Sequence, residues 1–246
     1  MTRKFGAIIS VIAIIFLAYL LLLCFPQPFF KDSIRYRNLT LYSDRPFDME
    51  SGLRLLAMAQ DKLGDSPFYL PSEEHTIFIC NERWRQILFF NRNYRVGGVN
   101  YFPLTRNVFL RDSIIEENRL RGPGGKLVDG DRTLDYFIAH EIAHTLTGEA
   151  VGGLRYHRLS EWVREGYADY VGKGKSFNYD EALKAFLNQA PEMNREKSGL
   201  YLRYHLLVSY LIDKKGLERP QSAGGHHTSI NCREGTDHFC SLRLLS

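Results

Sequence analysis

The sequence lacks the features of several common functional classes. It has only four cysteines among 246 residues, and their spacing matches no zinc knuckle. We find no internal repeat and no long low-complexity run. The glycines of Val96–Tyr101 do not form the G-x-x-x-x-G-K-[ST] pattern of a phosphate loop. Lysine and arginine are scattered through a chain whose net charge is only +4, so we expect no nucleic-acid binding.

The composition of the last residues indicates a segment that does not fold into a hydrophobic core. From residue 218 the composition changes to Gly, Ser, Thr, Asn and charged residues, which predicts a polar, disordered tail over residues 218–246. Cys232 and Cys240 could pair across a short loop if the compartment is oxidising, or be free thiols in a loose tail. A second metal site in the tail is a less favoured alternative, with His226, His227, Cys232, His238 and Cys240 as its candidate ligands.

One apolar run is long enough to cross a membrane. Phe5–Phe25 carries no charge, exceeds the usual core of a cleaved signal peptide and is followed by no small-x-small site. We predict a single-pass signal anchor within residues 1–30, with residues 5–25 in the membrane. Arg3 and Lys4 favour a cytosolic amino terminus, against the positive charges that follow the run. We therefore expect the rest of the chain outside the cytoplasm.

Hydrophobic patterning predicts one α+β domain after the anchor. We expect a juxtamembrane linker over residues 31–46 and a domain over residues 47–217. Within the domain the apolar periodicity alternates between helical and strand spacing. The predicted helices are Asp48–Leu63, one carrying Trp84 to Phe89, Thr133–Thr147, one starting at Glu161, Tyr179–Asn188 and Leu200–Lys215, and the predicted strands are Thr76–Cys80, Val96–Tyr101 and Asn107–Arg111.

The predicted helix Thr133–Thr147 contains an H-E-x-x-H motif, formed by His140, Glu141 and His144. Two histidines at positions i and i+4 lie on one face of a helix, one turn apart, so both imidazoles reach one metal ion. The glutamate between them projects beside the metal, where it can act as a general base.

A catalytic zinc site needs a third protein ligand, and Glu165 is our choice. It lies 21 positions after His144, enough for a loop and a second helix that starts after Ser160. Glu161 is a competing ligand, but its place in the first helical turn is explained by the helix dipole. His157 lies in the loop between the motifs, where a solvated histidine is the simpler interpretation than a role in the site.

The two motifs together resemble the gluzincin metallopeptidases, the group with thermolysin-type and aminopeptidase-N-type enzymes. The resemblance rests on H-E-x-x-H followed by W-x-x-E-G-x-A-D-Y and covers residues 47–216. It implies one Zn²⁺ held by His140, His144 and Glu165, with Glu141 as the catalytic base. It also implies that Asp169 accepts a hydrogen bond from a ligand histidine. The implied fold is a small mixed sheet packed against both motif helices, with further helices after them.

The implied activity is peptide hydrolysis by a zinc-activated water, on a peptide or protein substrate. The developing oxyanion needs a donor besides zinc, and the candidates in the last predicted helix are Tyr201, Tyr204 and His205. Strand Asn107–Leu110 could pair with an extended substrate, or be an ordinary sheet strand. The chain lacks the G-x-M-E-N signature of the aminopeptidase branch and is shorter than either named branch.

Three other functions are compatible with the sequence. A catalytically inactive relative would bind a peptide or protein, although it would have no chemical need for Glu141. A zinc hydrolase of a non-peptide substrate could use the same residues. A structural membrane protein would carry the H-E-x-x-H sequence by accident, which the second motif argues against.

Overall fold

The computed structural model describes residues 2–93 and 96–215. These residues form a mixed helix-and-sheet structure, as predicted at that level. The described residues divide into two compact units, the first within residues 2–58 and 71–138 and the second within residues 59–70 and 139–215. The predicted tail, with Cys232, Cys240 and the suggested second metal site, lies outside the described residues.

The predicted membrane segment is a helix, α1 (Thr2–Cys24). Its Phe5–Cys24 stretch has a mean hydropathy of 3.0 and is long and apolar enough to cross a membrane. Signal sequences near an amino terminus share this length and composition. The last turns of the helix are packed into the first unit, where Leu23 is buried and the Tyr19 hydroxyl donates to the Leu88 carbonyl over 3.0 Å.

The first unit is built on a five-stranded mixed sheet in the order β1-β2-β3-β5-β4. β1 and β4 are antiparallel to their neighbours, whereas β2, β3 and β5 are parallel. Two further strands pair in a small hairpin. The strands are β1 (Asp32–Tyr36), β2 (Leu39–Ser43), β3 (His75–Cys80), β4 (Gly98–Asn100), β5 (Val108–Arg111), β6 (Ser113–Ile114) and β7 (Arg119–Leu120).

The prediction of a linker over residues 31–46 is wrong. Strands β1 and β2 occupy most of this range, and β2 pairs with a neighbour on each side. The signal was the alternation in β2, where Leu39, Leu41 and Ser43 are buried. Five residues of alternating pattern among charged neighbours are a weak signal, and the parallel partner β3 lies more than thirty residues further along the chain.

The sheet separates two layers of the first unit. Phe78 and Cys80 face a cluster that includes the end of α1 and helix α3 (Arg83–Phe90). Ile77 lies on the opposite face of the sheet, because successive side chains of a strand point to opposite faces. Ile34 of β1 lies on the same face as Ile77, since both are in register with Leu41 of β2. Helix α2 (Met49–Gly64) packs on that second face, because a Cβ at Gly52 would lie 3.1 Å from the Ile34 side chain.

Strand β5 has no free edge, because β3 pairs with one side of it and β4 with the other. The suggestion that Asn107–Leu110 receives an extended substrate is therefore wrong. The alternative interpretation, an ordinary strand of the sheet, is confirmed. The sequence could not distinguish them, since strand order is set by pairing across the fold rather than by chain order.

The second unit consists of helices and short helical turns in its described part. Its largest helix, α4 (Leu134–Val151), begins in the first unit. Helices α6 (Glu161–Lys173) and α9 (Leu202–Ser209) form its most extensive helix pair. A Cβ at Gly166 of α6 would lie 2.7 Å from the Tyr204 carbonyl oxygen, so this glycine lets α9 approach closely. The other helices are α5 (Gly153–Tyr156), α6 (Glu161–Lys173), α7 (Tyr179–Leu187), α8 (Arg195–Ser198) and α9 (Leu202–Ser209), which is followed by a π-helical turn, Tyr210–Lys214.

Buried His75 predicts an acid-sensitive first unit. Burial, together with the charge of Arg106, lowers the pKa of His75 from 6.5 to about 4. Between these values the unfolded chain binds a proton that the folded chain excludes, so stability falls as the pH falls from 6.5 towards 4. The full loss is about 3 kcal/mol. We expect His75→Gln to flatten this part of the pH profile in urea unfolding of the detergent-solubilised chain.

The matched control is His157→Gln, because His157 is an exposed histidine. It should leave the pH dependence of unfolding as in the wild type. An unchanged profile in the His75→Gln variant would show that other groups cause the acid sensitivity.

Candidate metal centre

Helix α4 places both motif histidines on one face. Their ring centroids are 4.9 Å apart, with the ring planes nearly perpendicular. His140 and Glu141 are buried, at 5% and 7% exposure. The helix is apolar on most of its faces, as expected of a helix enclosed by protein. The motif therefore lies in a largely dehydrated part of the second unit.

Helix α6 brings the third predicted ligand to the histidines. Glu165 Oε2 lies 3.5 Å from His140 Nε2 and 3.9 Å from His144 Nε2. One donor atom from each of these three side chains lies within 4.8 Å of the other two. The helix ends at Lys173 and is capped by Gly174, whose positive φ of 52° suits glycine. Glu165 and Asp169 are one turn apart and lie on one face of this helix.

The three donors are close enough together to hold one metal ion after a small adjustment. Ligand atoms bound tetrahedrally at about 2.0–2.1 Å from zinc lie about 3.3 Å apart. The distances from Glu165 to His140 and His144, 3.5 and 3.9 Å, are near this value, and all three donor atoms lie within 4.8 Å of one another. Two imidazoles and one carboxylate form the ligand set of catalytic zinc. Imidazole also suits copper, iron and nickel, so the geometry indicates a metal site without identifying the ion.

The electrostatics favour metal binding at Glu165 and His144 and oppose it at His140. Although burial raises the pKa of Glu165, a hydrogen bond from His140 and the charges of both histidines outweigh it, and the pKa falls to about 2. Burial lowers the pKa of His144 to about 4. Burial also opposes the charge of His140, but Glu165, Glu141 and Asp169 together raise its pKa. The state that binds a metal has an anionic carboxylate and neutral imidazoles, so a bound metal must displace the proton that these charges favour on His140.

Glu141 is not one of the three clustered donors. Burial raises its pKa to about 7, against the opposing charge of His140. A carboxylate with a pKa near neutrality is a stronger base than an exposed one and still ionises at the pH of the cell.

The competing acidic residues have other partners. Glu161 forms an ion pair with Arg195. Asp169 Oδ2 lies 2.9 Å from His205 Nδ1 and 3.9 Å from Lys173 Nζ. Asp169 is also near enough to His140 for its charge to raise that pKa. Asp169 therefore acts on the site electrostatically and fixes His205 by a direct hydrogen bond.

Among the three predicted oxyanion donors, the structure brings Tyr201 to the ligands. Its ring stacks on His140 with centroids 5.9 Å apart, and its hydroxyl donates to the Glu165 carboxylate. The Tyr204 ring lies behind it, 6.1 Å from the Tyr201 centroid. His205 is buried against Phe177, with ring centroids 3.6 Å apart. Its bond to Asp169 and this stacking make it a packing residue in the geometry observed.

Tyr156, which no pattern in the sequence singled out, contacts one of the two motif histidines directly. Its hydroxyl lies 2.9 Å from His144 Nδ1, on the ring side opposite the nitrogen that approaches Glu165. The segment was interpreted as a loop, but it contains α5, with Tyr156 buried and its neighbour His157 exposed. The local sequence does not distinguish a tyrosine that hydrogen-bonds a histidine from a tyrosine that only fills space in the core. The contact depends on how α5 packs against α4.

We expect Tyr156→Phe to weaken metal binding by about 10- to 100-fold, because loss of a hydrogen-bond partner of a ligand histidine typically has that effect. The measurement is competitive titration with a chromophoric zinc chelator. Tyr170→Phe is the control, since it removes a hydroxyl that bonds Asp213 instead. Equal affinities of the two variants would contradict an orienting role for Tyr156.

Comparison of the chain with protein-family models gives no match, and comparison with curated proteins gives none either. The resemblance to gluzincins therefore rests on the two motifs, residues 140–144 and 162–170. The geometry of their side chains is the independent observation that bears on function.

Proposed function

We propose that this chain is a membrane-anchored zinc metallopeptidase of the gluzincin type. The observation that carries the proposal is the meeting of His140, His144 and Glu165 donor atoms, with the buried Glu141 carboxyl on the same helix. Two motifs separated by 17 residues in the sequence thus supply one ligand set from two helices. An accidental H-E-x-x-H sequence has no reason to meet a third ligand of the right chemistry.

The roles of the residues follow from their positions. His140, His144 and Glu165 would hold zinc, which lowers the pKa of a water molecule that it binds and polarises a scissile carbonyl. Glu141 accepts the proton of the attacking water at its carboxylate and passes it to the leaving amine. The Tyr201 hydroxyl, now on Glu165, is the candidate to turn towards the oxyanion.

The same proposal includes retention of α1 as an anchor. The Asn107 side chain donates to the carbonyls of Leu23 and Cys24 at the end of the helix, over 2.9 and 3.1 Å. Leu23 itself belongs to a core cluster of the first unit. Removal of α1 as a signal peptide would expose this core and leave Asn107 without these acceptors, so we propose that α1 is retained as a single membrane span. The orientation that we propose, with the domain outside the cytoplasm, rests on Arg3 and Lys4 before the apolar run.

Two rival functions remain, and one experiment separates them from the proposal. The full chain is purified in detergent, loaded with zinc and incubated with a diverse peptide library, with mass spectrometry as the readout. Cleavage that is lost in the Glu141→Gln variant supports the peptidase. Peptides that bind without being cut would indicate an inactive binding module. Absence of both, with the metal bound, would favour a hydrolase of a non-peptide substrate.

A further inference from the structure

The end of α1 fixes the depth of the first unit relative to a membrane. The Phe5–Cys24 stretch has 20 residues, about 30 Å of helix, which matches the hydrocarbon thickness of a bilayer. Tyr19 contacts α3 five residues before Cys24, about 7.5 Å inside the end of that stretch. If α1 crosses the bilayer, as the proposed function requires, α3 lies at the level of the acyl-chain boundary.

Apolar side chains are exposed around this contact, and we call them the α1–α3 patch. Trp84 and Ile87 are one turn apart on α3, and Phe29 lies 6.4 Å from the Trp84 ring between centroids. Leu104 is next to α1, because its carbonyl accepts from the Cys24 thiol. The exposures are 65% for Phe25, 39% for Phe29, 48% for Trp84, 61% for Ile87 and 42% for Leu104.

The chemistry of the patch fits the membrane interface. Tryptophan is enriched where acyl chains meet headgroups, because its ring is apolar and its N–H is polar. The Arg85 guanidinium lies 4.3 Å from the Trp84 ring centroid, donates to the Phe29 carbonyl and pairs with the buried Asp44 side chain over 3.3 Å, so it holds the Trp84 ring and the turn after α1 together. Arg83, the first residue of α3, is exposed. An exposed arginine next to apolar surface can extend its charged end to lipid phosphates.

We propose that the α1–α3 patch is inserted into the interfacial layer of the bilayer that α1 crosses. The occupant of the patch is therefore lipid, contacted by α3 and by the turn after α1, and the first unit is seated on the membrane rather than suspended from a flexible tether. This inference rests on the anchoring part of the proposed function and is independent of the peptidase chemistry.

Fluorescence quenching by lipids tests the proposal. The chain contains two tryptophans, so Trp162→Phe leaves Trp84 as the sole reporter. The full chain is reconstituted in phosphatidylcholine vesicles whose acyl chains are brominated either near the headgroup or near the mid-plane. We expect Trp84 to lose most of its fluorescence, and more of it with bromine near the headgroup. If Trp162→Phe fails to fold, the fluorescence of Trp84 is obtained by subtracting the fluorescence of Trp84→Phe from that of the wild type, in each kind of vesicle.

Two further variants, both without Trp84 and Trp162, make the outcome specific. Phe16→Trp reports on α1 itself and should be quenched by bromine in the acyl chains. Leu53→Trp is the matched control, since Leu53 is an exposed residue of α2, on the opposite face of the sheet from α3. It should keep its fluorescence.

The outcomes distinguish the two proposals. Quenching of Phe16→Trp without quenching of Trp84 would overturn the insertion of the patch and leave the anchor intact. Absence of quenching in both would overturn the anchor and the inference with it. A blue-shifted but unquenched Trp84 would show that a second copy of the chain, rather than lipid, covers the patch.

Discussion

Glu141→Gln is expected to reduce peptide hydrolysis by a factor of about 10²–10⁴, the usual contribution of a positioned general base, while the metal stays bound. Glutamine keeps the shape of the side chain but cannot accept the proton of the attacking water. The metal is retained because Glu141 is not among the three donors that meet. The measurements are kcat/KM on a substrate from the peptide library and the zinc content by atomic absorption.

The control for this prediction is Glu149→Gln, two turns further along α4. It changes a carboxylate on the same helix and should leave kcat/KM within a factor of about three, as expected for a side chain outside the chemistry. Undiminished cleavage by Glu141→Gln would remove this residue from the mechanism. Loss of zinc from Glu141→Gln would instead show that the residue supports the metal site.

Removal of the third ligand gives the second large effect. We expect Glu165→Ala to weaken zinc binding by more than about 100-fold, beyond the effect of losing a hydrogen-bond partner of a ligand. The metal should also cease to stabilise the fold. At a free zinc concentration 1,000 times its dissociation constant, the wild type gains about 4 kcal/mol, and the variant should lose most of this gain. Thermal unfolding with and without zinc, and after chelation, measures the difference.

Glu161→Ala is the matched control, because Glu161 lies one turn earlier on the same helix. Its ion pair with Arg195 is partly solvent-exposed, so its loss should cost less than about 1 kcal/mol and leave zinc binding unchanged. The opposite pattern, with zinc lost in Glu161→Ala and kept in Glu165→Ala, would show that Glu161 is the metal ligand and that our choice of Glu165 is wrong.

Much of the site could be predicted because its signals are local or fixed in spacing. The i, i+4 separation of His140 and His144 determines a shared helical face once the helix forms. Glu165 was found because W-x-x-E-G-x-A-D-Y is a short contiguous motif. Tyr156 and the hydrogen bond between Asp169 and His205 were not predicted, since both depend on how separate helices meet.

The fold shows the same division. Strand β3 was found within one residue, because its apolar run is continuous and the strand is buried. Strands β1 and β2 were missed, since their partners are set by sheet order and their own pattern is short. The order of strands also decided that β5 has no edge for a substrate.

The sequence by itself determined an apolar helix near the amino terminus, a helix with two histidines one turn apart and a glutamate that is a candidate to join them at a metal site. Each of these depends on composition or spacing within a single element. Only the tertiary structure decided that Glu165 rather than Glu161 reaches the histidines and that Tyr156 contacts His144. It also decided that the end of α1 belongs to a core. These are contacts between residues distant in the chain, and packing of side chains into the available volume selects them.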